Sequence, residues 1–173
     1  MPLKIKPLPD REYLLAILGY DPISGVLTWK AAPHPTMSVG AVAGSPHKTH
    51  GYVAVGIGRQ YFKASRIIWL MMTGNDPGQT LIDHRDRNRS NNAWTNLRLA
   101  TSADNARNQK VRSDNTTGFR GVTISRKGNY VSYRATIAMA GRNLYLGRFK
   151  TPELAAEAYR KKAVELHGDF ANF

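Results

Sequence analysis

The strongest constraint on the fold of this chain is one pattern in its middle, residues 80–110. A short apolar run, Thr80-Leu81-Ile82, ends in Asp83-His84. An Arg- and Asn-rich stretch from Arg85 to Thr95 follows, then Asn96-Leu97-Arg98-Leu99-Ala100, then Thr101-Ser102-Ala103-Asp104-Asn105, which reads as a helix start. The pattern predicts strand, loop, strand, helix, with an acid, an imidazole and two amides at fixed points. Neighbouring residues on a strand face opposite ways, so Asp83 and His84 are expected on different faces of the strand end.

These residue types suit phosphodiester hydrolysis, in which a water is deprotonated and charge on the phosphate and leaving oxygen is offset. Histidine fits the first task because its ordinary pKa lies near neutrality. A hard divalent cation on oxygen ligands fits the second. Asp83 offers a carboxylate, Asn105 a side-chain carbonyl, and Asn96 an acceptor able to orient the His84 ring. The bland alternative is a chance Asp-His pair, with asparagines that cap turns and a helix.

Charge points the same way. The 173 residues carry 25 Lys and Arg against 12 Asp and Glu, a formal net charge of +13. Residues 1–110 hold 14 basic against 7 acidic groups, and residues 111–173 hold 11 against 5. Both halves are therefore equipped to meet a polyanion, most often nucleic acid. There is no cysteine, which excludes disulfides and thiolate zinc sites. The longest apolar run, Ile67 to Met72, is far short of a membrane span, and the basic N-terminus lacks a signal-peptide core. A cytoplasmic protein, in a bacterial or phage-infected host cell, is expected, with no membrane partner.

The rest of the chain reads as α+β. A helix is expected over 10–18 with Asp10 at its N-cap and Gly19 ending it, then a turn at 21–25 and a strand at 26–29. Residues 31–50 read as loop, 52–57 and 60–63 as a hairpin, and 64–73 as a buried apolar helix closed by Gly74-Asn75. Residues 1–110 form one expected domain, 111–118 a polar linker and 119–173 a second domain. In the latter, strands at 119–125, 130–139 and 143–149 precede a helix over 152–167, with Thr151 at the N-cap and Pro152 first in the helix.

The spacing Asp83-His84, Asn96, Asn105 resembles the HNH homing-endonuclease family of the ββα-metal fold. Arg66-Ile67-Ile68-Trp69 and Asn105-Ala106-Arg107-Asn108-Gln109 add to the likeness. The resemblance implies Asp83 and Asn105 as ligands of one Mg²⁺ (or Mn²⁺), His84 as general base and Asn96 as its orienting residue. It also implies 5′-phosphate and 3′-hydroxyl products and a phage or mobile-element homing role. Many relatives carry His-Arg where this chain has Ser65-Arg66. Arg85, Arg87, Arg89 and Arg98 flank the site as candidate phosphate contacts; the alternative is a solvated loop with arginines paired to Asp86.

The second half resembles the ethylene-response-factor (Apetala-type) DNA-binding domain through Phe119-Arg120-Gly121-Val122, Tyr145-Leu146-Gly147-Arg148-Phe149, Glu153 to Tyr159 and Leu166 to Asn172. The resemblance implies a βββα module whose sheet lies in the major groove. Alternation in Tyr133-Arg134-Ala135-Thr136-Ile137 puts Arg134 and Thr136 on the outer face. Arg120, Arg126, Lys127, Arg142 and Arg148 are further candidate DNA contacts. The family's tryptophans are replaced here by Tyr133 and Lys127, so base preference does not transfer. The expectation is a metal-dependent endonuclease acting on double-stranded DNA as a monomer or a homodimer. The competing readings are an inactive sequence-specific DNA-binding protein and a basic protein without preference for duplex DNA.

Overall fold

A computed structural model describes residues 6–32, 34, 37–108, 111, 114–139 and 141–171. The end of the expected hairpin, at 109 and 110, and part of the expected linker, at 112 and 113, lie outside them. The chain divides into two compact units, residues 1–102 and 103–173.

In the first unit, α1 (Arg11–Ile17) opens at Asp10, whose Oδ1 accepts from the Glu12 N–H at 2.8 Å. It ends one residue sooner than expected. Gly19 is not a helix stop; it sits inside β1 (Leu18–Tyr20), opposite Thr28 of β2 (Leu27–Trp29). A Cβ there would meet the Thr28 Oγ1 at 2.9 Å, so glycine serves the close strand pairing. Residues 31–50 are mostly irregular, as expected, except that β3 (Ser45–Pro46) pairs with β4 (Val53–Ile57). β4 and β5 (Gln60–Lys63) form the expected hairpin.

α2 (Ala64–Thr73) follows β5 without a break and closes at Gly74, which takes the left-handed conformation (φ 75°) that ends helices. Its Ile67 and Ile68 are fully buried with Leu14, Leu18 and Val55 at the centre of the core. Burying such side chains contributes about 1.5–3 kcal/mol each. Arg11 ties the two helices together, donating from Nε and Nη2 to the Met71 carbonyl at 3.2 and 3.0 Å, one of the carbonyls a helix end leaves unpaired.

β6 (Leu81–His84) and β7 (Leu97–Ala100) form an antiparallel pair, joined by a long loop that closes with a 3₁₀ turn, Trp94–Asn96. Trp94 packs on Trp69 of α2, ring centroids 5.1 Å apart, which fastens the loop to the core.

α3 (Ser102–Arg107) begins on the last residue of the first unit and runs into the second. There β8 (Val122–Lys127), β9 (Tyr130–Met139) and β10 (Arg142–Phe149) form a three-stranded antiparallel sheet with β9 central. α4 (Pro152–His167) packs on it through Ala155, Ala156 and Ala163. Small side chains let the helix lie close, and Gly121 (φ 69°) shows how close: a Cβ there would fall 2.2 Å from the Tyr159 ring. No helix among the described residues is long and apolar enough to cross a membrane.

Candidate active site

The β6–β7 hairpin places Asp83 opposite Arg98 and His84 opposite Leu97. Directly opposed residues share a face of the pair, so acid and imidazole lie on different faces, as the alternation requires. Both side chains are buried: Asp83 is 5% exposed and His84 3%.

Arg98 does not reach outward for a phosphate. It is itself buried, at 7%, and donates from Nε and Nη2 to the Asp83 Oδ2 at 2.9 and 2.7 Å. Burial of a carboxylate demands a charged, hydrogen-bonded partner, and the cross-strand arginine supplies it. This corrects the expectation that Arg98 contacts DNA. Sequence register on the two strands held the signal, because a hairpin that pairs 84 with 97 must pair 83 with 98.

His84 also finds a partner other than the expected one. Its Nε2 lies 3.2 Å from Asn92 Oδ1. The Asn92 Nδ2 donates to the Ser90 carbonyl at 3.4 Å, which fixes the amide with its oxygen toward the ring. With an acceptor at Nε2, that nitrogen carries the proton and Nδ1 keeps the lone pair. Asn92 is buried at 3%, and its own carbonyl accepts from the Tyr20 hydroxyl at 2.8 Å. Burial, and secondarily Asp21, push the Tyr20 pKa up to about 12. Burial likewise holds the imidazole below its ordinary pKa, against the Asn92 bond and the charges of Asp86 and Asp83; Arg89 adds to the lowering. The ring is thus neutral near pH 7, the protonation state a general base needs.

Asn96 holds the loop rather than the imidazole, a correction to its expected role. Its Oδ1 accepts from the Asp86 N–H at 3.0 Å, and its Nδ2 donates to Asp86 Oδ1 at 2.9 Å and to the Asn91 carbonyl at 2.7 Å. Asp86 also accepts from the Asn88 N–H (2.8 Å) and Asn91 Nδ2 (2.7 Å). Burial pushes its carboxyl up, but these bonds and His84 outweigh that and bring it below its ordinary pKa. Arg87, at φ 64°, is the one non-glycine residue with positive φ among those described, and this turn holds it there. Arg85, Arg87 and Arg89 are all exposed residues of this loop.

The loop has a second support. Gly25 (φ 76°) lies flat against it, where a Cβ would meet the Ala93 nitrogen at 2.2 Å and the Asn92 carbonyl carbon at 2.3 Å. Sequence reasoning missed Asn92, Tyr20 and Gly25 together. The Asn91-Asn92 doublet offers two amides and no spacing rule to choose between them. The contacts from 20 and 25 are long-range and leave no local pattern.

Asn105 lies in α3, in the second unit. Among the described residues no group of three or more His, Cys, Asp or Glu could hold a metal ion. Mg²⁺ is held by one or two oxygen ligands plus substrate and water, so a single carboxylate and a side-chain amide would be donors of the right kind. Asp83 fits such a role in chemistry, since a carboxylate is the kind of hard oxygen donor that this ion takes.

In the second unit, Arg134 and Arg148 are paired in register on β9 and β10 and both exposed, and the Arg134 guanidinium lies 5.3 Å from the Tyr145 ring centre. Arg126, Lys127 and Arg142 are exposed at hairpin ends. Arg120 is placed differently: it is half-buried and lines a cleft of about 200 Å³ with Phe119, Ala156, Tyr159 and Arg160, on the α4 side of the sheet. The Phe119-Arg120-Gly121 bend carries it there, so it is removed from the set of outward-facing arginines.

Comparison with known proteins adds to this geometry. The profile of an HNH endonuclease family matches residues 62–107. Protein 3.8 of Escherichia phage T7 is 35% identical over 118 residues, covering 66% of this chain and 95% of that protein. An uncharacterized HNH endonuclease, L560, of Acanthamoeba polyphaga mimivirus is 35% identical over 105 residues, covering 61% of this chain and 52% of its own length.

Proposed function

Since the chain belongs to the HNH endonuclease family, we propose that it is a metal-dependent enzyme of phage or mobile-element type that hydrolyses phosphodiester bonds in duplex DNA. The observation that carries this reading is the buried, neutral His84, fixed through Asn92 beside an arginine-rich loop. His84 takes the proton of an attacking water. Asn92 keeps the ring in one tautomer and orientation, and Tyr20 and Gly25 hold Asn92. Asn96 and Asp86 set the loop so that Arg85, Arg87 and Arg89 reach phosphates as guanidinium forks.

Asp83 fits one ligand position for Mg²⁺ or Mn²⁺, and the family resemblance assigns Asn105 as the second. When bound, the ion supplies positive charge at the phosphate and at the departing 3′ oxygen. Arg98 keeps the Asp83 carboxylate aimed. The second unit serves as the DNA anchor, with Arg134 and Arg148 as the centre of its contact face and Arg126, Lys127 and Arg142 at the edges. Support comes from their exposure and from the net positive charge of residues 111–173.

Conversion of supercoiled plasmid in Mg²⁺ or Mn²⁺, against an EDTA control, tests the activity. Open circles mean a nicking monomer, and linear product that appears early means two chains acting together. Tight duplex binding with no cutting, after a genomic library has been screened for a target site, would favour an inactive DNA-binding protein.

A further inference from the structure

Beside the imidazole, two cations distant in sequence, Lys63 and Arg89, meet at the ring of Tyr52. The Tyr52 ring lies 5.9 Å from that of His84, tilted by 53°. The Lys63 ammonium sits over the Tyr52 ring, 4.1 Å from its centre. The Arg89 guanidinium lies 4.8 Å from the same centre. Arg89 is held there by its Nη1, which donates to the His50 carbonyl at 3.1 Å. Ser90 Oγ donates to the Gly51 carbonyl at 2.9 Å, so the loop is fastened to the segment that leads into Tyr52.

The charges around this ring are unbalanced. Arg98 and Arg66 each have a carboxylate, Asp83 and Asp76 respectively. Among the described residues Lys63 and Arg89 have none; their contacts are the shared ring and one carbonyl. Lys63 is also the N-cap residue of α2, whose first turn carries no acid. Burial, then repulsion from Arg89 and Arg66, lowers the Lys63 pKa. Two cations held at one aromatic ring repel each other, and their attraction to the ring offsets that repulsion only in part. An anion bound by both would offset the rest. A phosphodiester carries one negative charge and oxygens suited to both a guanidinium fork and an ammonium.

We propose that Lys63 and Arg89, seated on Tyr52, bind the DNA backbone phosphate that lies at His84, with Lys63 as a phosphate-positioning residue. The assignment rests on the endonuclease reading for the identity of the anion, and it adds to that reading the residue that holds the phosphate beside the base.

The test compares full-length wild type, Lys63→Met, Lys63→Arg and Lys161→Met. Lys161 carries the same charge, on α4, and is paired with Glu157. Binding to a labelled duplex of about 30 base pairs is followed in EDTA from about 50 to about 300 mM KCl. Lys63→Met is expected to lower the slope of log affinity against log salt by about one. Lys63→Arg should keep the slope. In Mg²⁺ or Mn²⁺, Lys63→Met should cut at least about tenfold more slowly, a loss on the scale of one misplaced positioning group, while Lys161→Met cuts as wild type does.

Reductive methylation of wild-type protein, read by peptide mass, needs no variant to fold. Duplex DNA should protect Lys63 and leave Lys161 reactive. An unchanged slope in Lys63→Met, an equal loss in Lys161→Met, or a Lys63 that reacts as fast in the complex would each overturn the assignment. A wild type that protects Lys63 but never cuts would sink the endonuclease reading and leave the phosphate contact standing.

Discussion

Replacing Asn96 by alanine should cost stability through the loop, and the cost can be built from its bonds. The side chain makes three: one from the Asp86 N–H, one to the Asn91 carbonyl and one to the Asp86 carboxylate. A neutral bond contributes a net of about 1 kcal/mol and one to a charged group about 1.5–3 kcal/mol. Summed at face value they give about 3–5 kcal/mol. Asp86 is exposed, however, so water can take up its freed groups, which lowers the expectation to about 2–3 kcal/mol. All three tryptophans, Trp29, Trp69 and Trp94, lie in the first unit, and Trp94 closes this very loop. Tryptophan fluorescence in urea therefore reports the unit that matters. With a slope near 2 kcal/mol per molar, the midpoint should fall by roughly 1–1.5 M. A loss below about 0.5 kcal/mol would mean that Asn88 and Asn91 hold Asp86 unaided, and the assigned role of Asn96 would be wrong.

Other outcomes follow from the same geometry. The Asp86 carboxyl has a folded pKa below its unfolded one, so its contribution is complete above about pH 4 and fades as pH falls through the folded value. The stability gap between wild type and Asn96→Ala should accordingly narrow in acid; a gap that widens contradicts the assignment. Gly25→Ala forces a methyl into the backbone of Asn92 and Ala93 at positive φ, and should lower the same fluorescence transition by at least about 2 kcal/mol, strain and clash together. Arg98→Met removes the charged partner of the buried Asp83 carboxylate and should cost about 3–5 kcal/mol, whereas the double variant Asp83→Leu/Arg98→Met should recover most of it. If the single variant is as stable as wild type, the pair is not what keeps Asp83 in the interior.

The order of elements around the site could be read from the chain because each has a local cause. The mostly apolar ten-residue segment closed by Gly74 makes α2, alternation and a Gly58-Arg59 turn make the β4–β5 hairpin, and Thr151-Pro152 starts α4. Asp83 and His84 declared themselves by position at a strand end. The partners of the site were harder to read. Whether Asn92 or Asn96 meets the imidazole depends on how the twelve-residue loop between β6 and β7 folds back, and nothing periodic governs that. Arg98 looked like a phosphate contact because arginine in a basic chain usually is exposed; only pairing with the buried Asp83 turns it inward. Gly19 looked like a helix stop, yet its value lies in a strand contact with Thr28 across a turn.

Single-turnover cleavage tests the role of His84 as the base. Wild type, His84→Ala and Asn92→Ala are compared in Mg²⁺ or Mn²⁺, with duplex binding in EDTA measured alongside. His84→Ala is expected to bind DNA as wild type does and to cut about 10²–10⁴-fold more slowly, the span assigned to a positioned general base. Asn92→Ala, which leaves the ring in place but frees its orientation, is expected to show a smaller loss, about 10–100-fold, as for a residue that orients the base. If His84→Ala cuts DNA at the wild-type rate, the base lies elsewhere and the mechanism proposed for this site is wrong.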